Sequence, residues 1–344
     1  MYFEALKELI SMSKTAGSRV DYVQAGGGNT SVKFEDGYMA IKASGYLLKQ
    51  MSENTGYVVV NGTKMRQYHE MDHEPSCDCN KEAMELALAS IKQINGEIAA
   101  RPSVEVGFHS ILGKYVLHLH PVYVNILMCS KGGVEKAIKI AKAAGISSVA
   151  IPYTMPGYPL TKLILAAYNS YYETHSAAPQ ALFLKNHGVV THADTAEEAI
   201  KNMDSINNAM IAELGLPAFP TTSVEKVGSG YKSSNTWMKK SLSEGNIAAL
   251  LRNSPVYPDQ LVYTANELSI GGGNSKIVVA DGDILYNSGE KEAIALDETM
   301  TALVYVYHCI QELGMELELL SEADCANILG WDSEKYRKSL MAGQ

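Results

Sequence analysis

The sequence predicts an α/β fold followed by a smaller α+β subdomain. Apolar residues at helical spacing alternate with short apolar runs of strand length between residues 115 and 214. The 344 residues, 46% of them hydrophobic, are enough to bury one large core or two modest ones. Residues 215–235 are rich in Pro, Gly, Ser and Thr, a composition that is typical of a linker. We therefore predict two domains, formed by residues 1–215 and 236–344.

The N-terminal part begins with an amphipathic helix that ends near Gly17, and a glycine-rich loop follows at residues 26–28. Glu35, Asp36 and Gly37 then separate two strands and are typical of a hairpin turn, because glycine accepts the positive φ that such turns require. The same periodicities predict the other elements of this part. The predicted strands are residues 30–34, 38–42, 57–60, 115–120, 148–151 and 181–185, and the predicted helices are residues 81–95, 103–112, 134–144, 160–174 and 196–214.

The C-terminal part contains fewer elements and carries no motif. It shows no metal-ligand spacing, nucleotide-binding loop or internal repeat. The pattern predicts a small α+β subdomain and nothing more specific. Its predicted elements are a helix ending near Arg252, a strand at residues 261–263, two strands at 277–280 and 284–286 joined by Asp281-Gly282-Asp283, and a long helix at 291–313.

Charge and hydropathy exclude several classes of protein. The net charge is −9 and the 29 Lys and Arg residues are spread thinly, so the chain lacks the basic stripe that binds nucleic acid. No window reaches the roughly 18 consecutive apolar residues of a membrane-spanning helix, and Glu4 lies where a signal peptide would be apolar. Cys129 and Cys309 lie among apolar neighbours, as reduced core cysteines do. We predict a soluble cytoplasmic protein with neither a nucleic-acid nor a membrane partner.

Two histidines end the predicted strand at residues 115–120. His118 and His120 lie two residues apart, so both imidazoles project from one face of the strand. Leu117 and Leu119 pack on the opposite face. This arrangement suits two ligands of one metal ion, although a hydrogen-bonded histidine pair at a strand end would give the same pattern.

A third histidine follows the apolar strand at residues 181–185. Gly188 gives the backbone room to turn after His187, which can then complete a three-histidine site with one position open for substrate. Taken alone, a histidine at this position is more often structural. A separate polar segment holds His69, His73, Cys77 and Cys79. Because Cys-x-Cys lacks the partner pair and spacing of a structural zinc motif, we interpret that segment as a surface loop.

The glycine loop and the end of the second strand suit an anion. Small residues at Gly28 and Gly45 let backbone N–H groups approach a phosphate. Asn29, Lys42 and Ser44 add side-chain donors. The loop leads into a strand and lacks the Gly-Lys-Ser/Thr sequence of nucleotide hydrolases, so the pattern does not favour nucleotide binding.

An acidic residue lies at the predicted start of the helix at residues 103–112. Pro102 and Ser103 mark this start, and Ser103 and the amides of the first turn are further donors for an anion. Glu105 follows directly. An acid in the first turn of a helix usually does no more than interact favourably with the helix dipole, so Glu105 becomes a candidate for catalysis only beside the other motifs.

In this order, the motifs resemble those of the class II aldolase/adducin family, which includes the fuculose-phosphate and rhamnulose-phosphate aldolases. The family's phosphate signature is similar to residues 28–33 with Ser44-Gly45, and its acid is similar to Glu105 after Pro102-Ser103. Its zinc histidines are similar to His118, His120 and His187. The chain length and the C-terminal extension most resemble the aldolase portion of the bifunctional rhamnulose-phosphate aldolase/dehydrogenase proteins.

The resemblance implies a three-layer α/β/α fold with a central mixed, largely antiparallel sheet, and a homotetramer with active sites near subunit interfaces. It implies a divalent ion on the three histidines, for which three imidazoles favour Zn2+ over Mn2+ or Co2+. The ion would stabilise the enediolate formed when a phosphorylated ketose is cleaved to dihydroxyacetone phosphate and an aldehyde, and Glu105 would remove and return a proton. Together with the interpretation of the residues themselves, the resemblance gives the predicted substrate and phosphate ligands Gly28, Asn29, Lys42, Ser44, Gly45 and Ser103.

Two features depart from the family pattern. Many family aldolases have two serines before the acid, whereas Val104 occupies the second position here, so one phosphate donor is absent. The tyrosine that donates a proton from a neighbouring subunit in some aldolases has no recognisable motif. Tyr153 and Tyr158 are the nearest candidates, and neither is assigned that role.

Two further functions are compatible with the same residues. Sugar-phosphate epimerases, dehydratases and decarboxylases of the family use the same three-histidine metal site, so the metal ligands do not distinguish them from aldolases. The adducin head is a non-catalytic interaction module that lacks the metal ligands. Because all three histidines and the acid are present, the interaction module is the weakest of the three hypotheses.

Overall fold

Seven strands form the larger of two sheets in the computed structural model, which describes residues 2–94, 100–243, 246–264 and 267–330. These strands are β1 (Asn29–Lys33), β2 (Tyr38–Lys42), β3 (Tyr57–Asn61), β4 (Tyr115–Leu119), β5 (Ser148–Ile151), β6 (Ala181–Leu184) and β7 (Gly188–Ala193). The helices of the same part of the chain are α1 (Tyr2–Gly17), α2 (Gly62–Glu70), α3 (Cys79–Ala89), α4 (Val106–Ile111), α5 (Val122–Met128), α6 (Gly133–Ala143), α7 (Tyr158–His175) and α8 (Ala196–Leu214).

The order of the strands in this sheet is β3-β2-β1-β4-β7-β6-β5. Neighbouring strands are antiparallel except β5 and β6, which are parallel. The register places Asn29 opposite His118, and His118 opposite Val190. The central strands β1, β4 and β7 therefore bring the glycine loop, the histidine pair and the start of β7 to one end of the sheet.

Helices cover both faces of the sheet, as the alternation of apolar residues requires. On one face, Val32 and Leu117 belong to the core that includes residues of α1, α5 and α8. On the other face, Val116 packs with residues of α4 and α7, and Ile41 packs with residues of α2 and α3. The predicted three-layer α/β/α fold with a largely antiparallel sheet is confirmed.

A second, five-stranded sheet lies in the C-terminal part, with the strand order β10-β11-β12-β9-β8. Its strands are β8 (Val224–Val227), β9 (Gly230–Ser233), β10 (Leu268–Ile270), β11 (Ile277–Ala280) and β12 (Asp283–Tyr286). The helices of this part are α9 (Thr236–Ser243), α10 (Ile247–Asn253), α11 (Pro258–Tyr263), α12 (Glu290–Glu312) and α13 (Glu322–Gly330). The predicted α+β character of this part and the β11–β12 hairpin are confirmed.

One hydrophobic core joins the two parts of the chain. It includes residues from Ala5 in α1 to Ile328 in α13, and α12 packs directly against α5. Residues 215–235, predicted to be a linker, contain the β8–β9 hairpin, whose second strand pairs with β12. The division into domains 1–215 and 236–344 remains a prediction.

Some predicted elements differ from the structure. Residues 261–263, predicted to be a strand, belong to helix α11, which Pro258 begins by supplying a helical φ. Helix α4 begins at Val106 and not at residue 103, and α3 ends at Ala89, before residues 90–95 of the predicted helix, of which residue 95 lies outside the described part of the chain. Helices α2, α5 and α13 and strands β7, β8, β9 and β10 were not predicted. All seven residues of α5 are buried, so this helix shows no amphipathic period.

The cysteine-containing segment differs in part from its interpretation as a surface loop. His69 lies on α2 and is buried. Cys77 and Cys79 form a disulfide, and only in the reduced form could these two cysteines and the nearby His73 share a metal ion. The predicted burial of Cys129 and Cys309 is confirmed. Within the described ranges, no helix combines the length and apolar character needed to cross a membrane.

Candidate metal centre

Three buried histidines converge at the end of the larger sheet. His118 lies on β4, His120 follows the last residue of this strand, and His187 lies in the turn between β6 and β7. Asn186 makes this turn possible with a left-handed φ of 52°, which asparagine tolerates better than most residues. One ligand atom from each histidine lies within 4.8 Å of the other two. The structure therefore brings together the three histidines that the sequence pattern singled out.

Hydrogen bonds orient two of the imidazoles. Nδ1 of His118 lies 3.2 Å from the carbonyl oxygen of Val189, and Nδ1 of His120 lies 2.5 Å from Oδ2 of Asp259. Because both partners are acceptors, each Nδ1 carries the proton, and each Nε2 presents a lone pair. The two Nε2 atoms are 3.3 Å apart. When both rings are neutral, the facing lone pairs repel each other at this distance unless a proton or a metal ion lies between them.

Glu105 lies beside the same cluster. The sequence predicted Glu105 in the first turn of a helix, but in the structure it is the N-cap residue, directly before the start of α4. Its Oε2 lies 3.5 Å from Nε2 of His118, and its Oε1 lies 3.6 Å from Nε2 of His187. Oε1 is buried and accepts no hydrogen bond from the described residues.

The three histidines fit a divalent metal ion, with the Glu105 carboxylate beside it. Ligand atoms of a tetrahedral zinc at the usual bond lengths are separated by roughly 3.3–3.6 Å. The separations of 3.3 Å between His118 and His120, and of 3.5 and 3.6 Å from Glu105 to His118 and His187, lie in this range. The orphaned Oε1 and the facing imidazole lone pairs are both groups that a cation would satisfy.

The protonation states of the cluster also suit a cation. Burial lowers the pKa of His118 to about 4 and that of His187 to about 3, against the opposing effect of the Glu105 charge. Burial alone would raise the pKa of Glu105, but His118, His187 and the hydrogen bond from Asn29 lower it to about 2. At neutral pH His118 and His187 are therefore neutral, which is the form of histidine that binds metal, and Glu105 is ionised.

A chain of hydrogen bonds fixes the orientation of the Glu105 carboxylate. Asn29 donates through Nδ2 to Oε2 of Glu105 at 2.6 Å and to Oγ of Ser103 at 3.2 Å. His109 lies behind Asn29, with Nε2 in contact with Oδ1 of Asn29 and Nδ1 2.7 Å from Oγ of Ser31. His109 therefore donates to Asn29 and accepts from Ser31, which settles which end of the amide faces Glu105.

The glycine loop lies directly over the histidines. Gly28 has a φ of +61°, and a Cβ at this position would lie 2.7 Å from the carbonyl oxygen of His118. Both the backbone conformation and the close approach to β4 therefore require glycine. Lys42, predicted to bind an anion, is buried, and its Nζ lies 3.3 Å from the carbonyl oxygen of Gly26. Lys42 thus stabilises the glycine loop through its hydrogen bond to Gly26.

Two cavities lie on either side of Val104, which lines both. The smaller, of about 30 Å³, is lined by Asn29, Glu105, His120 and His187, among others. The larger, of about 440 Å³, is lined by the predicted phosphate ligand Ser44 and by Arg101 and Lys81. Ser44 is held beside Pro102 because its N–H donates to the carbonyl oxygen of Arg101 at 2.8 Å, and Gly45 follows with a φ of +86°.

Sequence reasoning missed two residues of this site. His109 was assigned to a helix without a role, and Asp259 lies in a segment that was predicted to precede a strand. The C-terminal part of the chain contributes more than Asp259 to the site, because Pro258, Val262 and Ile328 also line the smaller cavity. A buried histidine between Phe108 and Ser110 was the one local signal for His109; nothing in the sequence pattern indicated Asp259.

Comparison with known proteins identifies the larger part of the chain. Residues 7–214 match the family described as Class II Aldolase and Adducin N-terminal domain. No curated protein sequence matches the chain. Among solved structures, the N-terminal class II aldolase domain of a conserved protein from Thermoplasma acidophilum is 23% identical with a TM-score of 0.50, over 61% of this chain and 93% of that chain.

Two other solved structures are similar over a comparable share of the chain. YgbL from Klebsiella pneumoniae, named as an aldolase, epimerase or decarboxylase, is 21% identical with a TM-score of 0.43, over 62% of this chain and 90% of that chain. A sugar-phosphate aldolase from Thermotoga maritima is 15% identical with a TM-score of 0.45, over 63% of this chain and 98% of that chain. With its family match over residues 7–214, the chain belongs to the class II aldolase and adducin family.

Proposed function

We propose that this protein is a metal-dependent aldolase that cleaves a phosphorylated ketose to dihydroxyacetone phosphate and an aldehyde, reversibly. The observation that carries the proposal is the convergence of three buried histidines, two of which lie with Nε2 3.5 and 3.6 Å from the buried, ionised carboxylate of Glu105. An interaction module has no use for such a group of buried polar atoms, which costs stability unless a cation satisfies it. Membership of the aldolase family is consistent with this chemistry.

The three histidines are the proposed metal ligands, and His118 and His120 are already oriented for that role. A bound divalent ion, with zinc favoured by three imidazoles, supplies Lewis-acid stabilisation of the negative charge that develops on substrate oxygens during carbon–carbon cleavage. His118 and His120 are held by acceptors at Nδ1, so little side-chain ordering is needed on binding. Neutral ligands leave the full charge of the ion available to substrate.

Glu105 is the proposed proton carrier. Its low pKa means that it enters the reaction as a carboxylate, and so as a proton acceptor. Asn29 occupies Oε2, which leaves Oε1 to take a proton from substrate in the condensation direction and to return it in the cleavage direction. Burial excludes bulk water from Oε1, so the proton passes between the carboxylate and substrate.

The phosphate end of the substrate is proposed to lie in the larger cavity. The smaller cavity, of about 30 Å³, holds roughly one water molecule and cannot hold a sugar phosphate. The larger cavity offers Ser44 and the cations Arg101 and Lys81, and Val104 separates it from Glu105. The other residues proposed to bind or support the phosphate are Gly28, Asn29, Lys42, Gly45 and Ser103. A homotetramer, which the resemblance implies, and a cytoplasmic location are also part of the proposal.

The test measures metal content and product together. We would determine metal by elemental analysis in the wild type and in His187→Ala, and assay release of dihydroxyacetone phosphate from a panel of ketose 1-phosphates. We expect near-stoichiometric metal and product release in the wild type, both lost in His187→Ala. The exposed His175 on α7 supplies the matched control, since His175→Ala should change neither quantity.

The other outcomes discriminate between the hypotheses. Metal without product release would contradict aldol cleavage and direct the search to epimerase, dehydratase and decarboxylase assays, since these reactions share the metal site. Absence of metal from the wild type would contradict metal-dependent catalysis altogether.

A further inference from the structure

A carboxylate from outside the family-matched residues 7–214 contacts one of the three histidines. Oδ2 of Asp259 lies 2.5 Å from Nδ1 of His120, and both side chains are buried. The two residues are 139 positions apart in the chain. A buried carboxylate at this distance from an imidazole forms a charge-assisted hydrogen bond that is stronger than one between neutral groups.

We propose that Asp259 is a positioning residue for His120, and that the C-terminal part of the chain thereby completes the metal centre. By accepting the Nδ1 proton, Asp259 fixes the tautomer in which Nε2 of His120 carries the lone pair, and it fixes the plane of the ring. The inference rests on the metal-binding part of the proposed function. It extends that function, because residues 7–214 alone do not contain this carboxylate.

Two neighbours show that the contact is built into the fold. Gly27 lies against both partners, and a Cβ at this position would lie 3.0 Å from Oδ2 of Asp259 and 3.1 Å from Nδ1 of His120. Any larger side chain at residue 27 would therefore crowd the hydrogen bond. Gln260, next to Asp259, is itself fixed, because it accepts from the N–H of Val256 at 3.0 Å and donates to the carbonyl oxygen of Leu251 at 2.9 Å.

The same short helix contacts the rest of the site. The hydroxyl of Tyr263, at the end of α11, lies 3.2 Å from the N–H of Gly26 in the glycine loop. Asn186, the residue before His187, donates to the carbonyl oxygen of Val256 at 2.8 Å and to that of Glu318 at 2.7 Å. The segment around α11 therefore contacts the glycine loop, His120 and Asn186, the residue before His187.

The experiment compares D259N and D259A with the wild type through two readouts that do not depend on catalysis. The first is the dissociation constant for zinc, measured by competition with a chromogenic chelator. The second is the tautomer of His120 in the metal-free protein, measured by 15N NMR of histidine-labelled protein, with the His120 signals assigned by their absence from H120N. D259N keeps the shape of the side chain, which guards against a simple folding defect in D259A.

We expect both variants to bind zinc roughly 10- to 100-fold more weakly, as loss of such outer partners does elsewhere. We expect His120 to lose its uniform Nδ1–H tautomer, while His118, bonded to the Val189 carbonyl, keeps its own. D297N is the matched control. Asp297 is also a buried carboxylate of the C-terminal part, but it accepts from the hydroxyl of Tyr286 in the second sheet, so zinc affinity should stay unchanged.

The two readouts separate failure of this inference from failure of the proposed function. Wild-type zinc affinity and an unchanged His120 tautomer in both variants would overturn the role of Asp259 and leave metal-dependent catalysis intact. If the His120 tautomer changes in D259N but the wild-type protein binds no zinc, the positioning role is supported and the metal-dependent function is overturned.

Discussion

Asn29 illustrates how a single residue acquires a role that its sequence motif does not state. The motif predicts a phosphate donor, but in the structure its amide nitrogen donates to Glu105 and to Ser103. Its amide oxygen contacts Nε2 of His109, a ring that desolvation keeps neutral by lowering its pKa well below the usual value. A neutral His109 has one donor and one acceptor, which matches Asn29 on one side and Ser31 on the other.

We expect His109→Phe to lower turnover by roughly tenfold or more while leaving zinc content unchanged. The phenyl ring fills the same space but cannot orient Asn29, so the amide can rotate and withdraw its hydrogen bond from Glu105. The unpaired hydroxyl and amide oxygen should also reduce the free energy of unfolding by about 1–3 kcal/mol. Steady-state kinetics, metal analysis and urea unfolding measure the three quantities. Wild-type turnover in His109→Phe would show that Asn29 needs no partner.

The residues that sequence reasoning identified differ from those it missed in the distance over which their roles are set. His118 and His120 share one strand face, so two-residue spacing is enough to predict their convergence. His109 and Asn29 are 80 positions apart, and Asp259 and His120 are 139 apart. No local pattern marks either contact, because each arises only when the sheet is assembled and the C-terminal part has packed.

At the level of elements, the pairing of β1 with β4 carries the site. Asn29 at the start of β1 lies opposite His118 on β4, so any change in register would move Asn29, the hydrogen-bond partner of Glu105, away from His118. Gly28 precedes this pair and approaches the His118 carbonyl oxygen more closely than any side chain permits. The glycine is therefore a condition for the register as well as for the loop.

We expect Gly28→Ala to destabilise the protein more than Gly132→Ala does. Both glycines have a left-handed φ, +61° and +69°, so alanine costs about 1–2 kcal/mol of backbone strain at either position. A Cβ at residue 132 meets no atom within 4 Å, whereas one at residue 28 collides with β4. Urea unfolding and zinc titration of both variants measure the difference. Equal losses of stability, with zinc affinity kept in Gly28→Ala, would contradict the packing argument.

The elements that the sequence predicted correctly have a clear period and a defined end. Helix α8 is capped at its start by Thr195, whose side chain accepts from the N–H of Glu198, and at its end by Gly215 with a left-handed φ, so the sequence shows both of its limits. Helix α11 has only six residues, all buried, and its apolar residues equally suit a strand. The error at residues 261–263 therefore follows from burial, which removes the polar face that distinguishes the two.

At the level of the whole molecule, the two predicted domains share a core. Helix α12 lies against α5, and Tyr305 of α12 meets Tyr123 of α5 with ring centroids 6.0 Å apart. The hydroxyl of Tyr305 donates to the carbonyl oxygen of Pro217 at 2.6 Å, in the segment that the sequence marks as a linker. Composition identifies such a segment correctly as rich in turns, but it does not show whether the parts on either side pack together.

We expect Tyr305→Ala to lower the stability of both parts of the chain together. Truncating a buried aromatic residue costs about 3–5 kcal/mol, and the ring of Tyr305 contacts both Tyr123 in the family-matched part and Trp237 in the C-terminal part. Urea unfolding followed by tryptophan fluorescence, which reports the C-terminal part, and by far-UV circular dichroism should give one transition with a lower midpoint by both probes. Tyr172→Ala, at an exposed tyrosine of α7, should leave the midpoint unchanged. A fluorescence transition that moves alone would show two independent domains, and the metal centre would then depend on their docking as well as on their folding.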